Sequence, residues 1–168
     1  MTMSNFKFNL NTAKYKSVVL SLLKIGGGKI CGKKKLAKLL YFFEFDYFEK
    51  YQEPSTGETF KKYAMGPYPV NAWNIIDELV KSKDVVVKNS KNSGGFEPTV
   101  TYLLSQDSTL KQELTDQELD ILNRIKELYI NKSGKELEDI SHLEAPWNAV
   151  DMHQVMNLHL ANYRCTEF

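Results

Sequence analysis

Between Lys33 and Tyr51 the chain reads KKKLAKLLYFFEFDYFEKY, and no other stretch constrains its fold as strongly. Leu36, Leu40, Phe43 and Tyr47 recur at helical spacing and form one stripe, which Leu39, Phe42 and Phe45 widen. A helix this apolar must be covered on more than one side, so it is expected at the centre of the domain. Its oily run, Leu36 to Phe48, is broken by Lys38, Glu44 and Asp46. It therefore falls short of the roughly 18 apolar residues that a membrane span requires.

The flanking segments supply partners for such a helix. Tyr15, Val18, Val19, Leu22 and Leu23 predict an amphipathic helix over 12–25, ended by Gly26-Gly27-Gly28. After the turn cluster Pro54-Ser55-Thr56-Gly57, residues 58–63 predict a short strand. Met65-Gly66-Pro67-Tyr68-Pro69 is expected to be a fixed loop, because two prolines cannot continue a helix or a ladder. Helical spacing resumes over 70–81. Val85-Val86-Val87 and residues 99–103 predict two antiparallel strands joined by a flexible tip from Asn89 to Pro98. Thr115 with Glu118 and Ser133 with Glu136 are capping boxes, the first with a Leu114/Leu119 staple, and each opens a helix. Pro146-Trp147 marks a further start, and a last amphipathic helix is expected over 152–163. At 168 residues the expectation is one domain over 1–168, α+β and mainly α. It should hold about six helices and one or two small antiparallel β-hairpins.

The N-terminal MTMSNFKFNL lacks the features of a signal peptide, which points to a soluble cytoplasmic protein without a membrane partner. Cys31 and Cys165 are then expected as free thiols rather than a long-range disulfide. Net charge is +1, yet residues 1–50 sum to +7, 51–104 to zero and 105–168 to −6. Such polarity serves a partner or is neutralised within the fold. Arg occurs only at 124 and 164, which weighs against base-reading nucleic-acid recognition.

Candidate chemistry is thin. Gly27-x4-Gly32-Lys33 approaches a phosphate-binding loop, but Lys34 replaces the magnesium-binding hydroxyl and a helix precedes it where a strand belongs. His142, His153, His159 and Cys165 lack the i, i+4 spacing that joins two imidazoles on one helix face. Ser141 and His142 are adjacent and diverge by about 100° on a helix, so they make no nucleophile–base pair. Asp139 and Glu144 are acids that nothing singles out. No enzyme activity, cofactor or metal is expected. Two binding readings stay open. One is a winged helix over 12–104, with Lys29, Lys33, Lys34, Lys35 and Lys38 meeting DNA phosphates.

The other comes from a resemblance. Lys38-Leu39-Leu40-Tyr41-Phe42, then Gly57, Gly66-Pro67, Ser141-His142 and Pro146-Trp147 resemble the SocA-like antitoxin family, also called the Panacea domain and found in phage-associated GepA-type proteins. The resemblance spans about 15–160, with Ser141 where Thr is more usual. It implies an antitoxin that binds a cognate toxin, commonly encoded beside it, or delivers that toxin to a protease. Tyr41 and Phe42 are then expected in the core, Gly66-Pro67 as a shaped turn and His142 with Trp147 as a packing corner. The partner-binding candidates are Tyr63, Gly66, Pro67, Tyr68, His142 and Trp147. Tyr68 and Tyr63 are chosen for contact area on a rigid turn. The acidic C-terminal third is expected to steer a basic toxin.

Overall fold

The computed structural model describes residues 8–90, 99–164 and 166–168. The first helix, α1 (Thr12–Ile25), is opened by the Asn11 side chain, which accepts from the Lys14 amide at 3.0 Å. Gly26 closes it, and the glycine turn feeds a short strand, β1 (Lys29–Cys31). The central helix α2 (Lys33–Tyr51) is buried continuously from Leu36 to Phe48, with Lys38, Glu44 and Asp46 inside as well. That is the covering its composition demanded.

Two three-stranded sheets flank it. β2 (Phe60–Tyr63), β3 (Gly66–Pro69) and β6 (Val155–Met156) form one, in the order β3-β2-β6. β4 (Val85–Ser90), β5 (Thr99–Leu104) and β1 form the other, in the order β1-β5-β4, with all pairings antiparallel. The expected hairpin of β4 and β5 is present, and it gains β1 as a third strand that short-range pattern did not announce. The expected tip largely lies outside the described residues, at 91–98. Between the sheets runs α3 (Ala72–Lys81).

The C-terminal helices are α4 (Asp116–Leu128), α5 (Gly134–Leu143) and α6 (Ala145–Asn148), followed by a 3₁₀ helix (Leu158–Tyr163). Both capping boxes close as expected. Glu118 accepts from the Thr115 amide at 2.8 Å, and Glu136 accepts from the Ser133 amide at 2.7 Å. Leu119, placed by its spacing on the packed face of α4, is instead 44% exposed. The fold is α+β and mainly α.

Two expectations are corrected. Gly66–Pro69 is a strand, not a loop, with Lys62 opposite Pro67 and Phe60 opposite Pro69. In an antiparallel pair, alternate residues turn their backbone groups towards or away from the neighbour. Tyr68 and Val70 take the inward turns, and the Val70 amide donates to the Thr59 carbonyl at 2.9 Å. Pro67 and Pro69 fall on outward turns, where the missing N–H would have faced away from β2. Residues 152–163, expected as one helix, are β6 and the 3₁₀ helix. The edge of β2 captures the backbone: the His153 amide donates to the Lys62 carbonyl at 2.7 Å, and the Lys62 amide to the Gln154 carbonyl at 3.0 Å. His153 adopts a φ of 68°, which no helix accommodates. Cys31 is an exposed free thiol on β1, and Cys165 lies outside the described residues.

Candidate functional site

The motif pieces from Lys38 to Trp147 meet in one buried corner, apart from Gly57, whose amide donates to Glu44 at 3.2 Å and which packs against Asn9. The Lys38 ammonium donates to the Pro67 carbonyl at 2.9 Å. Gly66 has φ +99°, and a side chain there would strike Lys38 and crowd the Ser141 hydroxyl. Only glycine lets the turn approach this closely. Ser141 donates to the Glu138 carbonyl at 2.8 Å instead of facing a substrate. His142 stacks on Trp147 with ring centroids 4.1 Å apart, and burial holds its imidazole below the usual histidine range. Lys62 lies over the other side of this corner, 4.6 Å from the Trp147 ring. Tyr41 donates to Glu144 at 2.6 Å, and Phe42 stacks on Tyr129 at 4.2 Å. These residues join α2, β3, α5 and α6.

Burial lowers the Lys38 ammonium from 10.5 to about 8, with nearby Glu138 opposing the shift. Between those values the unfolded chain binds a proton that the folded chain has released, so stability rises with pH across that window. Below about 8 both forms are charged and the dependence flattens. Urea denaturation should gain about 1 kcal/mol between roughly pH 7.5 and pH 9 from this residue. Lys38→Met should lose that slope, and an unchanged slope would show the ammonium to be solvated.

The partner-binding candidates do not form one surface. Gly66, Pro67 and Trp147 are buried in the corner, with His142 half-buried beside them. Tyr63 and Tyr68 lie on the outer face of the β3-β2-β6 sheet, with ring centroids 5.0 Å apart. From Tyr63 the aromatic row continues to His153 at 4.9 Å, and from Tyr68 to Trp73 at 6.2 Å.

The lysine cluster is occupied inside the fold. Lys33 lies 4.3 Å over the Trp73 ring, Lys34 pairs with Glu138 at 2.5 Å, and Lys35 donates to the Ile130 carbonyl at 2.6 Å. Lys38 is buried, while Lys29 on β1 and Lys33, lying along the Trp73 ring, stay exposed. Part of the lopsided charge is neutralised within the fold. Lys14 pairs with Glu118 at 2.6 Å and Lys50 with Asp120 at 2.6 Å, joining the basic first segment to the acidic last one, as Lys34–Glu138 does. These pairs engage three of the acids, while Asp107, Asp116, Glu127 and Asp151 of the same third stay exposed.

Sequence reasoning missed one constellation. Arg164, its side chain fully buried, pairs with Asp46 at 2.7 Å, Glu144 at 2.8 Å and Glu49 at 3.2 Å. Arg124 reaches the same Asp46 at 3.2 Å. The signal was present: both arginines of a lysine-rich chain converge on an aspartate inside the most apolar stripe. Arg is the cation suited to buried, many-armed pairing.

A family model described as antitoxin SocA-like, Panacea domain, matches residues 36–148. That interval contains every piece of the corner, and the chain belongs to this family. The family is described as antitoxin-like, which implies a toxin as the partner in general. No curated protein and no solved structure matches the chain. Among the described residues, no helix is long and apolar enough to cross a membrane.

Proposed function

We propose that this protein is the antitoxin of a phage-associated toxin–antitoxin pair, working in the cytoplasm. It neutralises a toxin encoded by the adjacent gene through direct contact and catalyses no reaction itself; delivery of the toxin to a protease is the variant mechanism. The observation that carries the reading is the family match over 36–148, whose motif residues close the corner. Because Gly66, Pro67, His142 and Trp147 hold that corner together, the exposed Tyr63 and half-buried Tyr68 on the outer sheet face are the better contacts for a partner.

The rival reading is a winged-helix DNA-binding regulator. It draws support from the sheet β1-β5-β4 packed behind α1, α2 and α3. Against it stand the occupied lysines and the exposed Asp77 and Glu78 on α3, which would repel phosphates.

Co-expression with the adjacent gene tests the proposal. The neighbour should arrest growth alone and be silenced by this chain. Tyr68→Ala should weaken toxin binding while the melting temperature holds, whereas Trp147→Ala should damage both. A neighbour that is harmless, or that stays toxic, would sink the antitoxin reading. Tight binding of a defined duplex at about 150 mM salt without rescue would favour the regulator.

A further inference from the structure

The outer face of the β3-β2-β6 sheet has the composition of a docking surface. Lys61 stands opposite Tyr68 on one side and Val155 on the other, so these three side chains share a face, joined by Tyr63 two residues on. Phe60 and Met156 point the other way, into the core. Tyr63 and Val155 are 38% and 44% exposed, although Tyr and Val are the residues a strand would bury.

The face runs into a cavity of about 520 Å³ that shares Lys61, Val70 and Val155 with it. Phe8, Leu10 and Leu158 make its walls apolar. Glu58 also lines it, but both its oxygens are taken, by the Tyr15 hydroxyl at 2.6 Å, the Thr59 amide at 2.6 Å and the Asn71 side chain at 2.8 Å. The three strands carry two lysines and no acid. Of the two, Lys62 turns inward to donate to the Val150 carbonyl at 2.9 Å, which leaves Lys61 as the charge the strands offer outward. Lys33, lying over Trp73, adds a second cation at the far end of the aromatic row.

We infer that the cognate toxin docks on this face through an acidic segment, with one apolar side chain in the cavity and a neighbouring carboxylate on Lys61. The inference rests on the antitoxin reading and adds the place and the partner's charge. Tyrosines beside a pocket supply the contact area typical of interface hot spots. A carboxylate brought to Lys61 among aromatic rings gives the register that area alone does not.

Calorimetric titration of the purified chain with the adjacent gene's product tests it. Lys61→Glu and Val155→Asp should each weaken binding by about 30-fold or more. Lys88→Glu, on the other sheet, should leave affinity unchanged. Val155 is exposed and Lys61 half-buried at the cavity rim, and a melting temperature equal to wild type confirms that both variants fold; Lys61→Gln, with a smaller loss, is the milder second variant. Lysine substituted at one of the toxin's own acidic positions should restore binding to Lys61→Glu. If wild type binds and both variants bind as well as it does, the docking face is wrong and the antitoxin reading stands. Tighter binding by Lys61→Glu would make the partner basic and overturn the inference equally. If wild type neither binds nor rescues, the antitoxin reading falls and this inference falls with it.

Discussion

Arg164→Ala should destabilise the protein by about 3–5 kcal/mol, the cost of breaking a buried ionic cluster from one side. Asp46, fully buried, would keep Arg124 alone at 3.2 Å, and Glu144 and Glu49 would lose their common cation. Coulombic attraction does not make the residue costly to remove; the acids left behind in a dry site do. Arg164→Lys should recover part of the loss, because one ammonium cannot fork to three carboxylates. Lys135→Ala, whose partner Asp139 is in solvent, should leave the urea midpoint unmoved. A midpoint for Arg164→Ala equal to that of Lys135→Ala would mean that the cluster is solvated in solution.

The second large effect belongs to the central helix. Leu40→Ala and Phe43→Ala should each cost about 2–5 kcal/mol. Leu40 is 2% exposed and Phe43 1%, and with α2 packed against α4, α5, β3 and the 3₁₀ helix no neighbour can collapse freely into the space. At this chain length such a loss corresponds to a fall of roughly 5–15 °C in melting temperature. Unchanged melting for either variant would remove α2 from the centre of the fold.

Much of the architecture was legible because it is written in short-range pattern. The bounds of α1 and α2 follow from apolar spacing and glycine, and both C-terminal capping boxes from four-residue signatures. What was illegible depended on distant chain. Proline rules predict a missing donor at 67 and 69, but not that both would have faced away from β2. Periodicity over 152–163 resembles a helix because it contains no information about the edge of β2 that captures His153 and Gln154. The run of lysines from 33 to 38 read as a phosphate-binding face, whereas Trp73, Glu138, Ile130 and Pro67 each hold one of them. The corner was legible as a family motif but not as geometry, since nothing near Lys38 announces that it meets the Pro67 carbonyl. Tyr63 and Tyr68 were legible as candidate contacts, while the cavity beside them takes walls from residues 8–10 and 155–158.

The Arg164 cluster also bears on when this chain can become a folded molecule during synthesis. Glu49 and the cation that neutralises it are 115 residues apart. While the chain emerges from the ribosome, α2 is complete long before residue 164 exists, and until then Glu49 has only water and Asp46 only Arg124 to neutralise it. At roughly 5–20 residues per second, that interval lasts about 6–23 seconds. Through that time burial of the central helix leaves Glu49 without its cation and Asp46 with Arg124 alone, so the core gains its last stabilisation only when residue 164 arrives. Messages cut short before codon 164 would yield chains lacking the same cation that Arg164→Ala removes, and destabilised at least as much. A restraining protein of this build is fully stable only when complete, so its supply follows finished translation rather than its initiation.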